Sequence, residues 1–577
     1  MKAVFSIFKV WNRVTELFDK SENRKYRYII LLSFFGAILE LLGVSVLLHT
    51  VLSILHPGFI DNNISTSFLK KALGFQSDRE FILALAILLL LVYVIKNVCL
   101  VYINKMQIRI AFEISNGVSG RFFSKVANKE LLYFKDRKST DIINSLMVTS
   151  VSFPENIVLP SILLWSEYAV IILLLTAIFW YNPVLCLFTI IIMLPAAFIL
   201  IRSKRKRLLK DGEAFNAVQP KLYETISEMI YGIANIKLWN GIRYFEQRYT
   251  EFKKEAHRLK ENLYVYTQFV PLRIYEVIGI SGILCIVLFG ILGGYDIPTI
   301  ISFISIYAGV SFRLLPSINR VTGSSNMITS HEYILGFFYG EGELIQDRVL
   351  SKEIEFIKRL KLQNISFSYG NKAILDDITL NINKGDTIGI IGKSGEGKST
   401  LLNILSSLLS PSSGLILVDG KELSPESVAS YRFLFSYVKQ DIFMLNESIR
   451  KNVAFLEDSI DSARIASCLR QVDLLEWVQQ LPDGLNTKVG ELGNKISGGQ
   501  RQRIAIARAL YKKSDIFIFD EVTNNLDEQS KTQTIEAIET LKKNEKTVIL
   551  ITHKEEELAI CDEVYRLDNS KLEKQEF

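Results

Sequence analysis

Residues Gly392-Lys393-Ser394-Gly395-Glu396-Gly397-Lys398-Ser399 have GxxxxGK[ST] spacing, and Thr400 follows directly. The glycines let backbone N–H groups wrap a phosphate chain, Lys398 neutralises β- and γ-oxygens, and the Ser399 hydroxyl suits Mg²⁺. An apolar stretch, Thr387–Ile391, precedes the motif as a buried strand. A helix over Lys398–Leu409 follows and turns its positive end toward the phosphates. A chance glycine-rich loop requires neither flank. A second apolar strand, Ile516–Phe519, runs into Asp520-Glu521. Asp520 would reach the Mg²⁺ shell, and Glu521 would sit beside the attacking water as general base or water positioner. Such an acidic pair says little alone, since surface loops carry many. With the phosphate loop it specifies nucleotide hydrolysis.

The rest of the chain must place this chemistry. It has 577 residues, 49% hydrophobic and 22% charged, with a mean hydropathy of +0.23. Disorder, collagen-like repeats and small disulfide scaffolds are excluded. The five cysteines lie far apart without CxxC or CxxH spacing, so no zinc site or disulfide framework follows. The apolar excess lies before about residue 340, in six runs long enough to span a bilayer: Tyr28–Leu55, Phe81–Ile103, Asn156–Tyr181, Pro183–Ile201, Tyr264–Gly293 and Pro298–Leu315. The net charge of +6 comes from basic residues flanking these runs, which topology alone requires, so no nucleic-acid partner is expected.

Segments 104–155 and 202–263 are long, basic and helical in pattern, whereas the links at 181–183 and 293–296 are minimal. Positive residues favour the cytoplasm, which puts both long segments and both termini inside. The first twenty residues interleave Val4, Phe5, Ile7, Phe8, Val10 and Trp11 with Lys2, Lys9 and Arg13. They read as a helix along the membrane surface rather than a cleavable signal. The expected domains are 1–338 (membrane), 339–352 (linker) and 353–577, where short β-branched runs alternate with helices as in an α/β ATPase.

Charges inside the apolar runs are the clue to cargo. Glu40, Lys96, Arg273, Glu276, Arg313 and Arg320 lie in or just beyond the spans. At a rise of about 1.5 Å per residue, Lys96, Arg313 and Arg273 fall roughly 22, 25 and 28 Å below the outer ends. Arg313 and Arg320, seven apart, share one helix face. Three readings compete. The bases snorkel to headgroups, they pair internally as Arg273 and Glu276 could, or they form a cationic belt facing a cavity.

Ile496-Ser497-Gly498-Gly499-Gln500, followed by Arg501–Leu510, resembles the ABC transporter signature. Six spans and one nucleotide-binding domain resemble an exporter-type half-transporter over the whole chain. The fold this implies is an α-helical polytopic membrane domain followed by an α/β P-loop ABC ATPase domain. Several roles are implied by the resemblance. Tyr369 is similar to the aromatic that stacks on adenine, Gln440 to the glutamine that senses Mg²⁺, and His553 to the switch histidine at the γ-phosphate. Asn525-Leu526-Asp527 resembles the loop that reaches across the dimer, and Thr487–Gly493 a segment that feels the cytoplasmic loops. Ser497, Gly498, Gly499 and Gln500 would contact ATP bound to a partner, so a homodimer with ATP and Mg²⁺ is implied, with alternating access. Tyr133–Asp141 and Met229–Trp239 would carry the motion. Ile496, Lys554 and the Val-Thr-Asn-Asn stretch after Glu521 depart from common family residues without removing a catalytic group.

Leu272–Glu276, Phe312–Arg320, Lys96 and the outer stretch Ser53–Gly74 also resemble bacterial flippases for lipid-linked oligosaccharides. That resemblance implies flipping of a polyprenyl-pyrophosphate glycan between leaflets of the inner (plasma) membrane, with Lys96, Arg273, Arg313 and Arg320 binding the pyrophosphate. Other exporters stay open. Lipid A also calls for basic residues, and Phe153, Trp165, Tyr168 and Phe269 could line a drug cavity. A processing peptide exporter would carry a peptidase domain ahead of the first span, and an ATP-gated channel or receptor would often lose Glu521 or a signature residue.

Overall fold

The computed structural model describes residues 10–55, 58–340, 353–523 and 528–576. The chain divides into two compact units: Met1–Lys129 with Phe134–Gln346, and Glu130–Tyr133 with Asp347–Phe577. The N-terminal stretch 1–9, most of the expected linker (341–352) and Asn525-Leu526-Asp527 lie outside the described residues.

All six expected spans fall on helices long and apolar enough to cross a membrane, with bounds Lys20–Ile54, Asp78–Ala127, Pro154–Trp180, Pro183–Tyr231, Ile242–Leu292 and Ile297–Ser330. Several run far past their apolar cores, so the long basic segments are largely continuations of the spans. Polar caps set the short turns. Asn182 Oδ1 accepts from the N–H groups of Val184 and Leu185, both at 3.0 Å, and Pro183 opens the next helix. Asp296 caps the sixth span through Thr299 N, 3.4 Å away. Around residue 153 and at Val265–Phe269 the helices pass through π-helical turns, insertions often found at functional positions. Inside the bundle, small polar groups join helices, as where the Tyr275 hydroxyl meets Thr322 Oγ1 at 2.6 Å. The stretch after the first span holds two short helices, Phe59–Asn62 and Ile64–Ala72.

Of the expected drug-lining aromatics, Phe153 is fully buried, packed edge-on against Phe338 at 4.9 Å, and Trp165 packs on Trp11 at 5.5 Å. Tyr168 is partly covered, and Phe269 is exposed. Two of the four aromatics are therefore committed to packing.

Among the described residues the second unit has ten strands: β1 Arg359–Tyr369, β2 Lys372–Asn383, β3 Thr387–Ile391, β4 Ser413–Val418, β5 Lys421–Glu422, β6 Phe435–Val438, β7 Ile516–Asp520, β8 Thr547–Ile551, β9 Glu563–Asp568 and β10 Lys571–Gln575. One antiparallel sheet has the order β2-β1-β4-β5, and the second has the order β10-β9-β3-β8-β7-β6. Strands β9, β3, β8, β7 and β6 are parallel. β7 and β8 are buried along their whole length, which explains their unbroken apolar sequence. The helix after the phosphate loop ends at Leu405, short of the expected Leu409. Ser407 turns left-handed (φ 54°), and the N–H of Leu408 donates to Asn403 O at 2.7 Å, closing the helix end.

Candidate functional site

Parallel pairing brings the chemistry to one edge of the sheet. β3 ends at Ile391, directly before Gly392; β8 ends before Thr552 and His553; β7 ends in Asp520, in register with Ile551. Ligands of open α/β sheets bind beyond such carboxyl ends. In the loop, Gly395 and Gly397 adopt φ 85° and 102°. A Cβ on Gly397 would also come within 2.6 Å of Ile374, so the loop requires glycine there. Lys398 Nζ donates to the carbonyls of Gly392 (2.7 Å) and Lys393 (2.9 Å), and Glu396 accepts from the Lys393 N–H at 2.8 Å. Ser394 lies in the exposed part of the loop, and Thr400 is buried in the helix behind it. Burial pushes the Lys398 ammonium below its usual range, against the opposing pull of Glu521, Glu396 and Asp520.

Ser399 Oγ lies 3.3 Å from Asp520 Oδ2, and the Tyr437 hydroxyl donates to the same oxygen at 2.9 Å. Burial raises the Asp520 carboxyl above the ordinary aspartate value, and the hydrogen bonds from Tyr437 and Ser399 pull the other way. A hydroxyl and a carboxylate this close are oxygen donors of the kind Mg²⁺ takes, so these residues fit the ion. Glu521 holds a left-handed backbone (φ 53°), and its Oε1 lies 3.2 Å from His553 Nε2. Tyr369, at the end of β1, is half-buried with its ring edge-on to Phe367 at 4.9 Å. Gln440 is exposed, two residues past β6, and no bond joins it to Asp520 or Ser399 among the described residues.

Ser497 caps the helix Gly498–Tyr511. Its hydroxyl accepts from the Gln500 N–H at 3.2 Å, and Gln500 Oε1 accepts from the Ser497 N–H at 2.9 Å. Ser497 and Gly498 stay exposed, so a helix N-terminus of the kind that takes phosphate is presented outward.

In the membrane unit, three of the four basic candidates join one cluster. Glu40 lies 3.0 Å from Lys96 Nζ and 3.1 Å from Arg313 Nε. Glu167 takes Arg320 through two contacts, 2.5 Å and 3.2 Å, and lies 3.8 Å from Arg313. Four of these side chains are at most 13% exposed, but Arg320 keeps 43%. Three cations against two carboxylates leave one positive charge. The cluster faces a cavity of about 340 Å³ that Glu40, Glu167, Arg313 and Arg320 line together with Asn104 and Gln107. Arg273 is separate. It pairs with Glu276 at 3.1 Å, and both are well exposed. Internal pairing thus accounts for much of the charge expected to face a cavity. Glu167 escaped the sequence reading, although it is the one charged residue between Asn156 and Tyr181. Tyr437 gave no sequence signal, because its role depends on two parallel strands lying side by side.

A phosphate-loop ATPase on the same chain as a six-helix membrane unit defines an ATP-driven membrane transport protein. The comparisons give the family. Residues 12–314 match the family described as ABC transporter transmembrane region, and 375–524 the family described as ABC transporter. The chain belongs to the ABC transporters, with the half-transporter organisation of an exporter. It is 26% identical over 499 residues to a probable ABC transporter ATP-binding/permease protein of Haemophilus influenzae, covering 84% of this chain and 88% of that one. It is 28% identical to an ATP-dependent lipid A-core flippase of Burkholderia pseudomallei, covering 78% and 76%. A bacterial Atm1-family ABC exporter with ATP bound shares the fold, with a TM-score of 0.74 at 20% identity over 96% of this chain and 95% of that one.

Proposed function

We propose that the protein works as a homodimer in the inner membrane, using ATP to move a lipid with a phosphorylated headgroup, of the lipid A-core type, between leaflets. The observation that carries this reading is the net-positive cluster of Glu40, Lys96, Glu167, Arg313 and Arg320 beside a cavity. Guanidinium forks bind phosphate bidentately, and relatives of the chain are named lipid A-core flippases. A polyprenyl-pyrophosphate glycan offers the same chemistry and stands as the second reading. It is favoured by the likeness of segments 272–276 and 312–320 to oligosaccharide flippases.

At the ATPase site, the backbone of 392–397 and Lys398 would hold the β- and γ-phosphates. Ser399 and Asp520 would hold Mg²⁺, with Gln440 nearby, and the ion neutralises phosphate charge when bound. Glu521 would orient or deprotonate the attacking water, and His553 would reach the γ-phosphate. Tyr369 would stack on the adenine. Ser497–Gln500 of the partner subunit would close each site. Opening and closing of the sites would pass to the spans through 133–141 and 229–239.

The test is ATP-dependent flipping in liposomes, with labelled lipid A-core and labelled polyprenyl-pyrophosphate glycan assayed side by side. Wild type should flip one of them. Glu521→Gln should flip neither, and Arg320→Ala should keep ATPase activity while losing flipping. Flipping of neither lipid by wild type would leave an exporter of other cargo. Normal flipping by Arg320→Ala would remove the cluster from substrate binding.

A further inference from the structure

We infer that Glu557 is a positioning residue for ATP hydrolysis, a buried carboxylate that ties together the two loops carrying Glu521 and His553. Glu557 is 2% exposed, in the short helix Glu555–Leu558. Its Oε1 accepts from the Thr523 hydroxyl at 2.5 Å, and its Oε2 accepts from the Thr552 hydroxyl at 2.6 Å. Both threonines are also buried. Thr523 lies two residues after Glu521, and Thr552 lies directly before His553. With Glu521 and His553 3.2 Å apart, the contacts close a ring: Glu521, Thr523, Glu557, Thr552, His553.

The donor count explains why a carboxylate stands here. Each threonine hydroxyl has one proton, and both point at Glu557. Thr552 Oγ1 also accepts from the Lys554 N–H at 3.1 Å, which fixes the direction of its own proton. The two hydroxyls donate to different oxygens of Glu557, and a carboxylate offers two acceptor oxygens where an amide offers one. Lys554 supplies the counter-charge, 3.6 Å from Glu557, and its Nζ also donates to Thr523 O at 3.3 Å. The ring has strain to restrain. A non-glycine residue in the left-handed region is disfavoured, and Glu521 is held there by its N–H bond to Ile551 O at 3.0 Å on one side. The Thr523–Glu557 bond is the corresponding restraint on the other. The inference rests on the assignment of Glu521 and His553 given above.

The experiment measures kcat, KM for ATP, binding of a fluorescent ATP analogue and thermal midpoint on the full chain in nanodiscs. The variants are Glu557→Gln, Thr523→Val, the two combined, and Glu521→Gln. Glutamine offers one acceptor in place of two, so one hydroxyl must turn away. Glu557→Gln is expected to lower kcat roughly 10- to 100-fold, as misplacement of a catalytic group by about 1 Å does. KM and analogue binding should stay within about twofold of wild type, and the combined variant should be no slower than Glu557→Gln alone. A role in packing alone would lower the thermal midpoint and the number of binding sites while leaving kcat per site unchanged, which overturns the inference. Should Glu557→Gln fail to fold, the near-isosteric Thr523→Val decides by the same criterion. Near-normal kcat per site in both variants with Glu521→Gln inactive sinks this inference alone. Normal turnover in Glu521→Gln sinks the catalytic assignment and this inference with it.

Discussion

Replacing Glu40 by glutamine should destabilise the membrane unit more than most single changes. Glu40 faces two cations, Lys96 Nζ at 3.0 Å and Arg313 Nε at 3.1 Å, and all three side chains are at most 13% exposed. At an effective dielectric near 20, each contact is worth roughly 5 kcal/mol before desolvation. Desolvation cancels most of that when the cluster forms, but removing one charge does not restore it. The variant strands Lys96, which pairs with Glu40, while Arg313 keeps Glu167 at 3.8 Å; stranding one buried cation typically costs about 3–5 kcal/mol. At about 1.4 °C per kcal/mol for a unit of roughly 340 residues, the thermal midpoint of purified protein should fall by about 4–7 °C. Adding Lys96→Met to Glu40→Gln should recover most of the loss, because the stranded cation is removed and the two sites are coupled. Gly43 leaves room for the lysine, since a Cβ there would come within 2.9 Å of Lys96 Nζ, so methionine fits the same path. Equal midpoints for wild type and Glu40→Gln would refute the electrostatic account. So would strict additivity of the two changes.

Three further outcomes are expected. Glu521→Gln should abolish ATP turnover while keeping ATP binding, measured by hydrolysis and by a fluorescent analogue. Gly397→Ala should lose nucleotide binding and about 1–2 kcal/mol of stability in the ATPase unit, because φ 102° strains any side chain and Ile374 is 2.6 Å from the added Cβ; unchanged ATP affinity would contradict that. Burial, the main cause, pushes the Cys561 thiol from 9.0 up to about 12. Its thiolate fraction at pH 8 is then about a thousandfold below that of an ordinary cysteine. Maleimide should label it slowly at pH 8, faster as the pH rises toward 12, and at once after unfolding.

Much of this protein was legible in its sequence because the signals are local. A span is a run of apolar residues, and a phosphate loop is eight residues whose glycines and lysine act on their neighbours. Membrane insertion and backbone geometry act over a turn or a strand, so length, hydropathy and spacing located all six spans, Gly392–Ser399 and the strand that ends in Asp520. The helix end at Leu405 was missed because a left-handed Ser407 is a choice of backbone rather than of composition.

Only the tertiary structure decided which distant groups meet. Glu40, Lys96, Glu167, Arg313 and Arg320 come from four different spans. Each looks alike in sequence whether it snorkels, pairs or faces a cavity. Tyr437 reaches Asp520 because β6 and β7 lie side by side, and Glu557 bridges Thr523 and Thr552 because β7 and β8 end together. An ion pair or a shared hydrogen bond forms between side chains that packing brings within about 3 Å, and sequence separation does not encode that distance.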